Sequence, residues 1–253
     1  MPYPSPDKPP RVLFIELQTV DSTNNYALSK AHAGLAQHGM AVFSHEQLAG
    51  KGQRGKTWKT AKGQNIALSL LLQPGNLQVQ KQFELSASIA VAVHHSLRQY
   101  LDDNLKIKWP NDIYWQDRKA GGILIENVVQ GTNWKWTVAG IGINVNQTNF
   151  SAELANPVSL KQITGKTFEV TSLARKIATG ILEAFETLQS GKGNELLAEY
   201  RSHLYKLGEN ARFKKDNRVF EATVKDISPS GKLILQHKVE EEFTVGEINW
   251  IID

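Results

Sequence analysis

Two long strand-like segments joined by a short turn constrain the fold of this chain more than any other sequence feature. Residues 122–129 and 134–143 are rich in aliphatic and aromatic side chains, and Gln130-Gly131-Thr132-Asn133 between them has the composition of a hairpin turn. Strands joined by so short a turn pair antiparallel, because a parallel pair needs a crossover of about a dozen residues or more. The sequence therefore predicts an α/β domain with a mixed, mainly antiparallel sheet.

Helices and further strands can be placed on both sides of this hairpin. Apolar residues recur at helical intervals over 79–101 and 173–188, which predicts two buried helices, and 194–205 predicts a shorter one. The cluster Asp21-Ser22-Thr23-Asn24 is rich in N-cap residues and predicts the start of a helix that reaches toward Gly34. Further strands are predicted at 12–17, 65–72 and 105–109.

The pattern changes after residue 210. Short alternating strands follow, separated by turns such as Ser228-Pro229-Ser230-Gly231, and they are predicted at 219–224, 232–236, 242–245 and 248–251. We interpret this segment as a separate small β-barrel. The predicted organisation is a disordered, proline-rich arm over residues 1–10, a main α/β domain over 11–208 and the barrel over 209–253.

Composition narrows the chemistry that this chain can perform. Cysteine is absent, which excludes disulfides, thiolate metal ligands and a thiol nucleophile. The seven histidines show no metal-ligand spacing, so no histidine metal site is expected. The formal net charge of +4 is dispersed and argues only weakly for acidic ligands. No apolar run is long enough for a membrane span or a signal core, so a cytoplasmic protein is predicted.

The nine residues from Gly50 to Trp58 contain three glycines and three cations, a composition that favours backbone wrapped around an anion. Residues 50–57 match the P-loop pattern G-x-x-x-x-G-K-[ST] of nucleoside triphosphatases. A P-loop needs a strand that runs directly into the loop and a helix that leaves it, and neither flank has that pattern. A loop that closes over another phosphorylated molecule fits better, and a solvated basic loop stays open as an alternative.

Two further segments combine polar residues with glycines. The first runs Lys108-Trp109-Pro110-Asn111-Asp112 and continues through Asp117-Arg118-Lys119 to Gly121-Gly122; alone, it is typical of a strand end and a charged turn. The second, residues 140–146, alternates glycine with aliphatic residues and predicts a strand that another backbone or a planar ligand approaches closely. Because the chain has neither a G-x-S-x-G elbow nor a cysteine, we expect any catalysis to act through positioning and charge.

Taken in order, these segments resemble the biotin protein ligase family over nearly the whole chain. The most specific part is Lys-Trp-Pro-Asn-Asp followed by Asp-Arg-Lys, with the glycine-rich loop upstream of both. The resemblance implies a class II synthetase-like catalytic domain with a small C-terminal SH3-like β-barrel. It also implies that biotin reacts with ATP and Mg²⁺ to give biotinyl-adenylate and pyrophosphate. Biotin would then pass to one lysine of a biotin carboxyl carrier domain.

The resemblance implies roles for particular residues. Neutral groups would bind the biotin ureido ring, and they are Ser22, Thr23, Asn24 and Gln47. Other residues near the bound biotin would be Lys51, Gly52, Gln53 and Gly122. The contacts with ATP or the adenylate would come from Gly50, Arg54, Lys56, Trp58, Lys108, Asn111 and Asn144. Lys119 would be the central catalytic cation, which reaches both the biotin carboxylate and the α-phosphate, and Asp112 would bind the metal ion or act as a base.

The glycine-rich loop departs from the family pattern at two positions. Many members have arginines where this chain has Lys51 and Gln53. Neither a lysine nor a neutral amide reproduces the planar, permanently charged fork of a guanidinium group. We expect Arg54 and Lys56 to compensate in part, and the adenylate to be held less tightly than in arginine-bearing relatives.

Two alternative functions stay open at this point. Lipoate protein ligases share the fold and the adenylate chemistry, but the polar cluster at 22–24 suits a ureido group better than a dithiolane. Octanoyl transferases of the same fold use a cysteine, which this chain lacks. The second alternative is a non-catalytic module that binds anions or nucleic acid. Only 20 residues precede Asp21, too few for the DNA-binding domain of some relatives, so we expect no DNA binding. Pairing with a second copy through an exposed sheet edge stays open.

Overall fold

A computed structural model describes residues 11–252 of the chain. The disordered arm predicted for residues 1–10 lies outside this range. No helix in the described range is both long and apolar enough to cross a bilayer.

Within residues 11–208, the larger part of the chain, the structure contains seven strands and five α-helices. In chain order they are β1 (Leu13–Leu17), α1 (Thr23–His32), β2 (Met40–Ser44), β3 (Ile66–Leu72), α2 (Gln82–Arg98), β4 (Leu105–Lys108), β5 (Asp112–Trp115), β6 (Arg118–Gln130), β7 (Asn133–Ile143), α3 (Leu160–Thr164), α4 (Val170–Gln189) and α5 (Gly193–Ser202). Five strands follow: β8 (Asn210–Lys215), β9 (Arg218–Ile227), β10 (Leu233–Gln236), β11 (Glu240–Phe243) and β12 (Asn249–Ile251). The predicted boundary after residue 208 falls between α5 and β8.

The seven strands form one sheet in the order β1-β2-β3-β7-β6-β5-β4. Its only parallel pair in the described range is β1 with β2, and all other neighbours are antiparallel. The predicted hairpin is the β6–β7 pair, in which Gly122 lies opposite Gly142. The mixed, mainly antiparallel sheet is thereby confirmed.

The two faces of this sheet have different partners, because successive strand residues point to opposite sides. Odd-numbered β6 and β7 residues such as Ile123 and Ile141 belong to the main core, together with apolar residues of α2 and α4. On the other face, Leu71 and Val138 pack with Ala27 of α1. Gly122, Gly140 and Gly142 alternate with the core residues, and this α1-side face forms the floor of the candidate site.

The C-terminal strands form a second, five-stranded antiparallel sheet in the order β11-β10-β9-β8-β12. Among the described residues its edge strands β11 and β12 do not pair with each other, so the sheet is not the closed barrel that was predicted. It packs on the larger part through Gly231, whose carbonyl accepts a 2.9 Å hydrogen bond from Trp109 Nε1. A Cβ at Gly231 would lie 2.3 Å from the Phe83 ring, so the two parts are in close contact there.

Candidate active site

Three glycines of β6 and β7 allow side chains to lie directly on the sheet. A Cβ at Gly140 would come within 2.2 Å of Asn24 Oδ1, and a Cβ at Gly142 within 2.3 Å of the Trp58 ring. A Cβ at Gly122 would lie 3.1 Å from Asp112 Oδ1 and 3.2 Å from Lys119 Nζ. Residues 140–146 were expected to be approached by another backbone or a planar ligand, but the groups that approach Gly140 and Gly142 are the Asn24 and Trp58 side chains of the chain itself. The glycines therefore bring the N-terminus of α1, the glycine-rich loop and the Lys119 segment onto one surface.

A neutral hydrogen-bonded network lies at one end of this surface. The Thr23 amide and hydroxyl donate to Gln47 Oε1 at 2.8 and 3.1 Å. Ser69 Oγ lies 2.8 Å from Thr23 Oγ1 and 2.5 Å from Asn24 Oδ1. Ser22 is the N-cap of α1, where its Oγ accepts from the Asn25 amide at 3.5 Å. Ser22, Thr23, Asn24 and Ser69 are buried and Gln47 is half-buried, so a ligand there meets preorganised neutral donors and acceptors.

Two residues of the site, Ser69 and Glu126, are not among those that the sequence predicts. Asn24 Nδ2 donates to Glu126 Oε2 at 2.7 Å, and Lys51 Nζ lies 3.8 Å from Glu126 Oε1. Glu126 thus orients the Asn24 amide and connects the glycine-rich loop to the sheet. Ser69 had one sequence signal, since it interrupts the apolar run 66–72. Glu126 had no such sequence signal, because a carboxylate is common in the outer half of a hairpin strand.

The glycine-rich loop folds back on itself as a small hairpin. Gly52 N donates to Lys56 O at 2.7 Å, and Trp58 N donates to Gly50 O at 2.9 Å. The preceding strand β2 ends at Ser44, and the loop contains only a single 3₁₀ turn, Gln53–Gly55. With neither a strand running into it nor a helix leaving it, the loop is not a P-loop, as its flanks predicted.

A cavity of about 460 Å³ lies between this loop and the sheet. It is lined by the loop, by Leu124 and by Glu126. Gly50 is one of the lining residues and leaves no room for a side chain, since a Cβ there would lie 2.3 Å from Trp58 O and 2.7 Å from Gln47 Nε2. The cavity has a size suited to a small ligand, at the lower end of the usual range.

Lys119 and Asp112 form an ion pair at the other end of the surface, with Nζ 2.7 Å from Oδ1. Lys119 and Gly122 are three residues apart, so regular alternation would put them on opposite faces of β6. A bulge between β5 and β6 adds Ala120 to β6 and returns Lys119 to the face of Gly122. Lys119 Nζ also lies 5.9 Å from the centre of the Trp58 ring. Trp58 Nε1 is buried and has no hydrogen-bond partner within residues 11–252.

Lys108 adds a second half-buried cation beside this ion pair. Burial lowers the pKa of Lys108 to about 8; Asp112 raises this pKa, whereas Lys119 and Lys56 lower it further. Lys108 Nζ lies 5.0 Å from the centre of the Tyr114 ring and 5.5 Å from that of Trp250. Lys108 therefore shares the Asp112 carboxylate with Lys119, Lys56 adds a third positive charge near Lys108, and an anionic ligand would relieve the mutual repulsion of these lysines.

Asn111 and Asn144 lie near these groups, but their amide nitrogens bind the backbone. Asn111 Nδ2 donates to Ile123 O, and Asn144 Nδ2 lies 3.3 Å from Lys119 O and 3.2 Å from Val158 O. In this conformation both asparagines fix the position of β6. Their predicted contacts with ATP stay predictions.

Arg54 connects the glycine-rich loop to the C-terminal sheet. It has a positive φ of 54° and packs so closely on Gly246, between β11 and β12, that a Cβ there would lie 2.4 Å from its Cζ. The structure thus brings Asn24, Trp58, Asp112 and Lys119 onto the glycine-lined face of the main sheet, with Thr23 beside Asn24 in the neutral network.

The chain is similar to known proteins in both sequence and structure. Residues 16–146 match the model of the Biotin/lipoate A/B protein ligase family. The "Bifunctional ligase/repressor BirA" of Escherichia coli strain K12 is 32% identical over 195 residues, which cover 76% of this chain and 58% of that protein. The "Biotin--[acetyl-CoA-carboxylase] ligase" of Mycobacterium tuberculosis is 28% identical over 233 residues, which cover 89% of this chain and 83% of that protein. The chain spans 58% to 69% of the length of its bifunctional ligase/repressor relatives.

Solved structures confirm the fold. The biotin protein ligase of Aquifex aeolicus, in complex with biotin and ATP, superposes with a TM-score of 0.79 at 24% identity and covers 95% of this chain and 99% of its own. The biotin protein ligase of Leishmania major in complex with biotin gives a TM-score of 0.63 at 22% identity, with 94% and 100% coverage. Since the family model covers more than half of the residues, the chain belongs to the biotin/lipoate A/B protein ligase family.

Proposed function

We propose that this protein is an ATP-dependent ligase that activates biotin and transfers it to a lysine of a biotin carboxyl carrier domain. In the first step a biotin carboxylate oxygen attacks the α-phosphorus of ATP, and pyrophosphate leaves. In the second step the carrier lysine attacks the acyl carbon, loses a proton, and AMP leaves. One observation carries the proposal: the Lys119–Asp112 pair and the neutral network at Thr23 lie on one glycine-lined surface.

The neutral network suits the ureido ring of biotin. Thr23, Asn24 and Gln47 offer hydroxyl and amide groups, and these can pair with a urea without burying a net charge. The valeryl chain would follow Leu124 and the glycine-lined floor toward Lys119. The names of the Mycobacterium tuberculosis relative and of the Aquifex aeolicus complex support biotin as the substrate.

Lys119 would lower the barrier of the first step through its charge. The biotin carboxylate and the α-phosphate repel each other, and an ammonium group between them offsets that repulsion. Lys108 and Lys56 would hold the remaining phosphates, and Trp58 Nε1 has a free donor for the adenosine part. Asp112 would keep Lys119 in place, and it is a candidate base for the carrier lysine, whose free pKa is about 10.4.

The residues present are compatible with Mg²⁺. Mg²⁺ commonly binds through one or two carboxylates together with substrate phosphates, and Asp112 is a carboxylate at the cationic end of the surface, paired with Lys119. Asp112 would hold the ion, which would supply neutralisation of the phosphate charge.

Biotin-dependent exchange of labelled pyrophosphate into ATP tests the proposed function directly. We expect exchange with biotin and little with lipoate or octanoate, because the neutral network pairs with a ureido group. Tight lipoate binding without biotin binding in calorimetry would instead favour lipoate ligation. The absence of exchange with any of these acids would support a non-catalytic anion-binding module.

The activity with ATP should depend on the charge of Lys108. Since the pKa of Lys108 is lowered to about 8, the ammonium form that attracts phosphate is present below that pH and is lost above it. We expect kcat/KM for ATP to fall as the pH rises through about 8, and Lys108→Arg to remove this limb because a guanidinium group stays charged. If kcat/KM for ATP fell in the same way with pH in Lys108→Arg, a group other than Lys108 would be responsible.

Gln53→Arg should slow the release of the adenylate. Gln53 begins the 3₁₀ turn of the loop, where a guanidinium fork would add charge-assisted hydrogen bonds to the phosphate. We expect release of labelled biotinyl-adenylate to slow by roughly tenfold. Gln64→Arg, at an exposed position beyond the loop, adds the same charge and should leave release unchanged. Equal rates of adenylate release from wild type and Gln53→Arg would contradict the idea that Gln53 weakens the hold on the adenylate.

A further inference from the structure

A cluster of three histidines lies outside the candidate active site. His94 and His95 belong to α2, and His203 follows the end of α5. Each of the three histidines has a ring nitrogen, and these three nitrogens lie within 4.8 Å of one another. No histidine metal site was predicted, because the three residues have no metal-ligand spacing along the chain. Packing of α2 against α5 creates the cluster.

His94 has the features of a histidine prepared to bind a metal ion. It is 1% exposed, and its Nε2 lies 3.0 Å from Leu105 O. A carbonyl oxygen only accepts, so Nε2 carries the hydrogen and Nδ1 holds a free lone pair. Nδ1 is buried and has no hydrogen-bond partner among the residues that the structure describes. Metal-binding histidines commonly donate their other ring N–H to a backbone carbonyl in this way.

The two other rings and one carboxylate surround the same space. The His94 and His203 rings stack with centroids 4.1 Å apart, and the His95 centroid lies 6.1 and 6.3 Å from theirs. Glu199, one helical turn before His203, forms an ion pair with His95 Nε2 and lies 4.0 Å from His203 Nε2. Lys106 and Arg98 are close enough to act on the charge of His203, and Arg98 is paired with Asp103. Glu199 therefore supplies the negative charge nearest the three rings.

We propose that His94, His95 and His203, with Glu199 as the fourth ligand, form a binding site for one Zn²⁺ ion. Imidazole nitrogens with one carboxylate are a common donor set for this metal, with bonds of about 2.0 to 2.2 Å. Such bonds require the ring nitrogens to approach by roughly 1 Å, and the exposed His95 side chain can move. His94, fixed by Leu105, would be the anchor.

The site is connected to β4, the strand that ends at Lys108. Ile107 N donates to His203 O at 2.8 Å, and Tyr205 N donates to Ile107 O at 2.9 Å. A bound ion would tie α2, α5 and this strand together at one point. Binding should therefore raise the melting temperature, since a ligand that binds only the folded state stabilises it.

The test uses the full chain without a histidine tag. Zn²⁺ alone is titrated by calorimetry and Co²⁺ by visible absorption, which reports a tetrahedral nitrogen-rich site. We expect one ion per chain, a higher melting temperature with Zn²⁺, and an affinity at least tenfold lower in His95→Gln and in His203→Gln. The double variant should lose both the Co²⁺ absorption and the shift in melting temperature.

His237→Gln is the matched control. His237 also forms an ion pair with a glutamate four residues later, with Nε2 3.3 Å from Glu241 Oε1. His237 belongs to the C-terminal sheet, apart from the cluster. This variant should bind Zn²⁺ like the wild type. Failure of the wild type to bind Zn²⁺, or equal binding by the double variant, would overturn the proposal. Neither outcome depends on biotin or ATP, so the result is independent of the proposed ligase activity.

Discussion

Replacing Lys119 with methionine should lower biotin-dependent pyrophosphate exchange by roughly a hundredfold to a thousandfold, the effect typical of losing one group that stabilises transition-state charge. Methionine keeps much of the aliphatic length of lysine and removes only the ammonium group, which lies 2.7 Å from Asp112 Oδ1. We expect the first step to suffer most, because the carboxylate and the α-phosphate must meet there. The measurement is exchange with saturating biotin, compared with single-turnover transfer from preformed adenylate.

Two controls separate the charge of Lys119 from its partnership with Asp112. Lys119→Met leaves the Asp112 carboxylate without its cation, and this negative charge alone would repel phosphate. Lys119→Met combined with Asp112→Asn removes both charges; if the double variant regains wild-type exchange, Lys119 acts only by neutralising Asp112. Lys135→Met, at an exposed position on β7, should leave exchange unchanged. Exchange by Lys119→Met within twofold of wild type would contradict the role proposed for Lys119.

Much of the architecture could be predicted from local patterns. The hairpin at 122–143 and the long helices follow from side-chain periodicity, which reports the face that each segment buries. The strand β5 was not predicted because it has only four residues and begins with Asp112. Helix α3 was not predicted because its five residues are too few to show a helical repeat. The open C-terminal sheet was predicted as a barrel, since alternation along strands does not reveal whether the two edge strands meet.

The site was predictable where glycines and charges cluster along the chain, and not where the fold brings distant residues together. Gly140 predicted a close approach, but only the structure shows that Asn24 makes it. Glu126 is 102 residues from Asn24, and no pattern connects the two. The bulge at Ala120 is equally invisible, although without it Lys119 would point into the opposite face. Long-range contacts of this kind depend on the register of the strands, which a single residue shifts.

Gly142→Ala should raise the KM for ATP by roughly tenfold to a hundredfold while the protein stays folded, because misplacement of a site group by about 1 Å has effects of this size. The added methyl carbon would lie 2.3 Å from Trp58 Cε2 and 2.6 Å from Nε1, so the indole ring must leave its position over the sheet. The Trp58 ring covers Lys119, with 5.9 Å between Nζ and the ring centre, and Trp58 is the last residue of the glycine-rich loop. Displacing it should open the loop and expose the cations to water. Steady-state kinetics with ATP, with circular dichroism as a check of folding, measures the effect.

A double-mutant cycle with Trp58→Ala decides whether Gly142 acts through this ring. If it does, adding Gly142→Ala to Trp58→Ala should change the KM for ATP no further, since the atoms that the methyl group meets are gone. Full additivity of the two changes would mean that Gly142→Ala distorts β7 itself. Gly180→Ala, in the middle of α4, is the matched control, because its new methyl group would meet Ser96 Oγ at 3.3 Å and Ala92 O at 3.9 Å and nothing closer. Alanine is favoured over glycine inside a helix, so this variant should keep the wild-type KM and be slightly more stable.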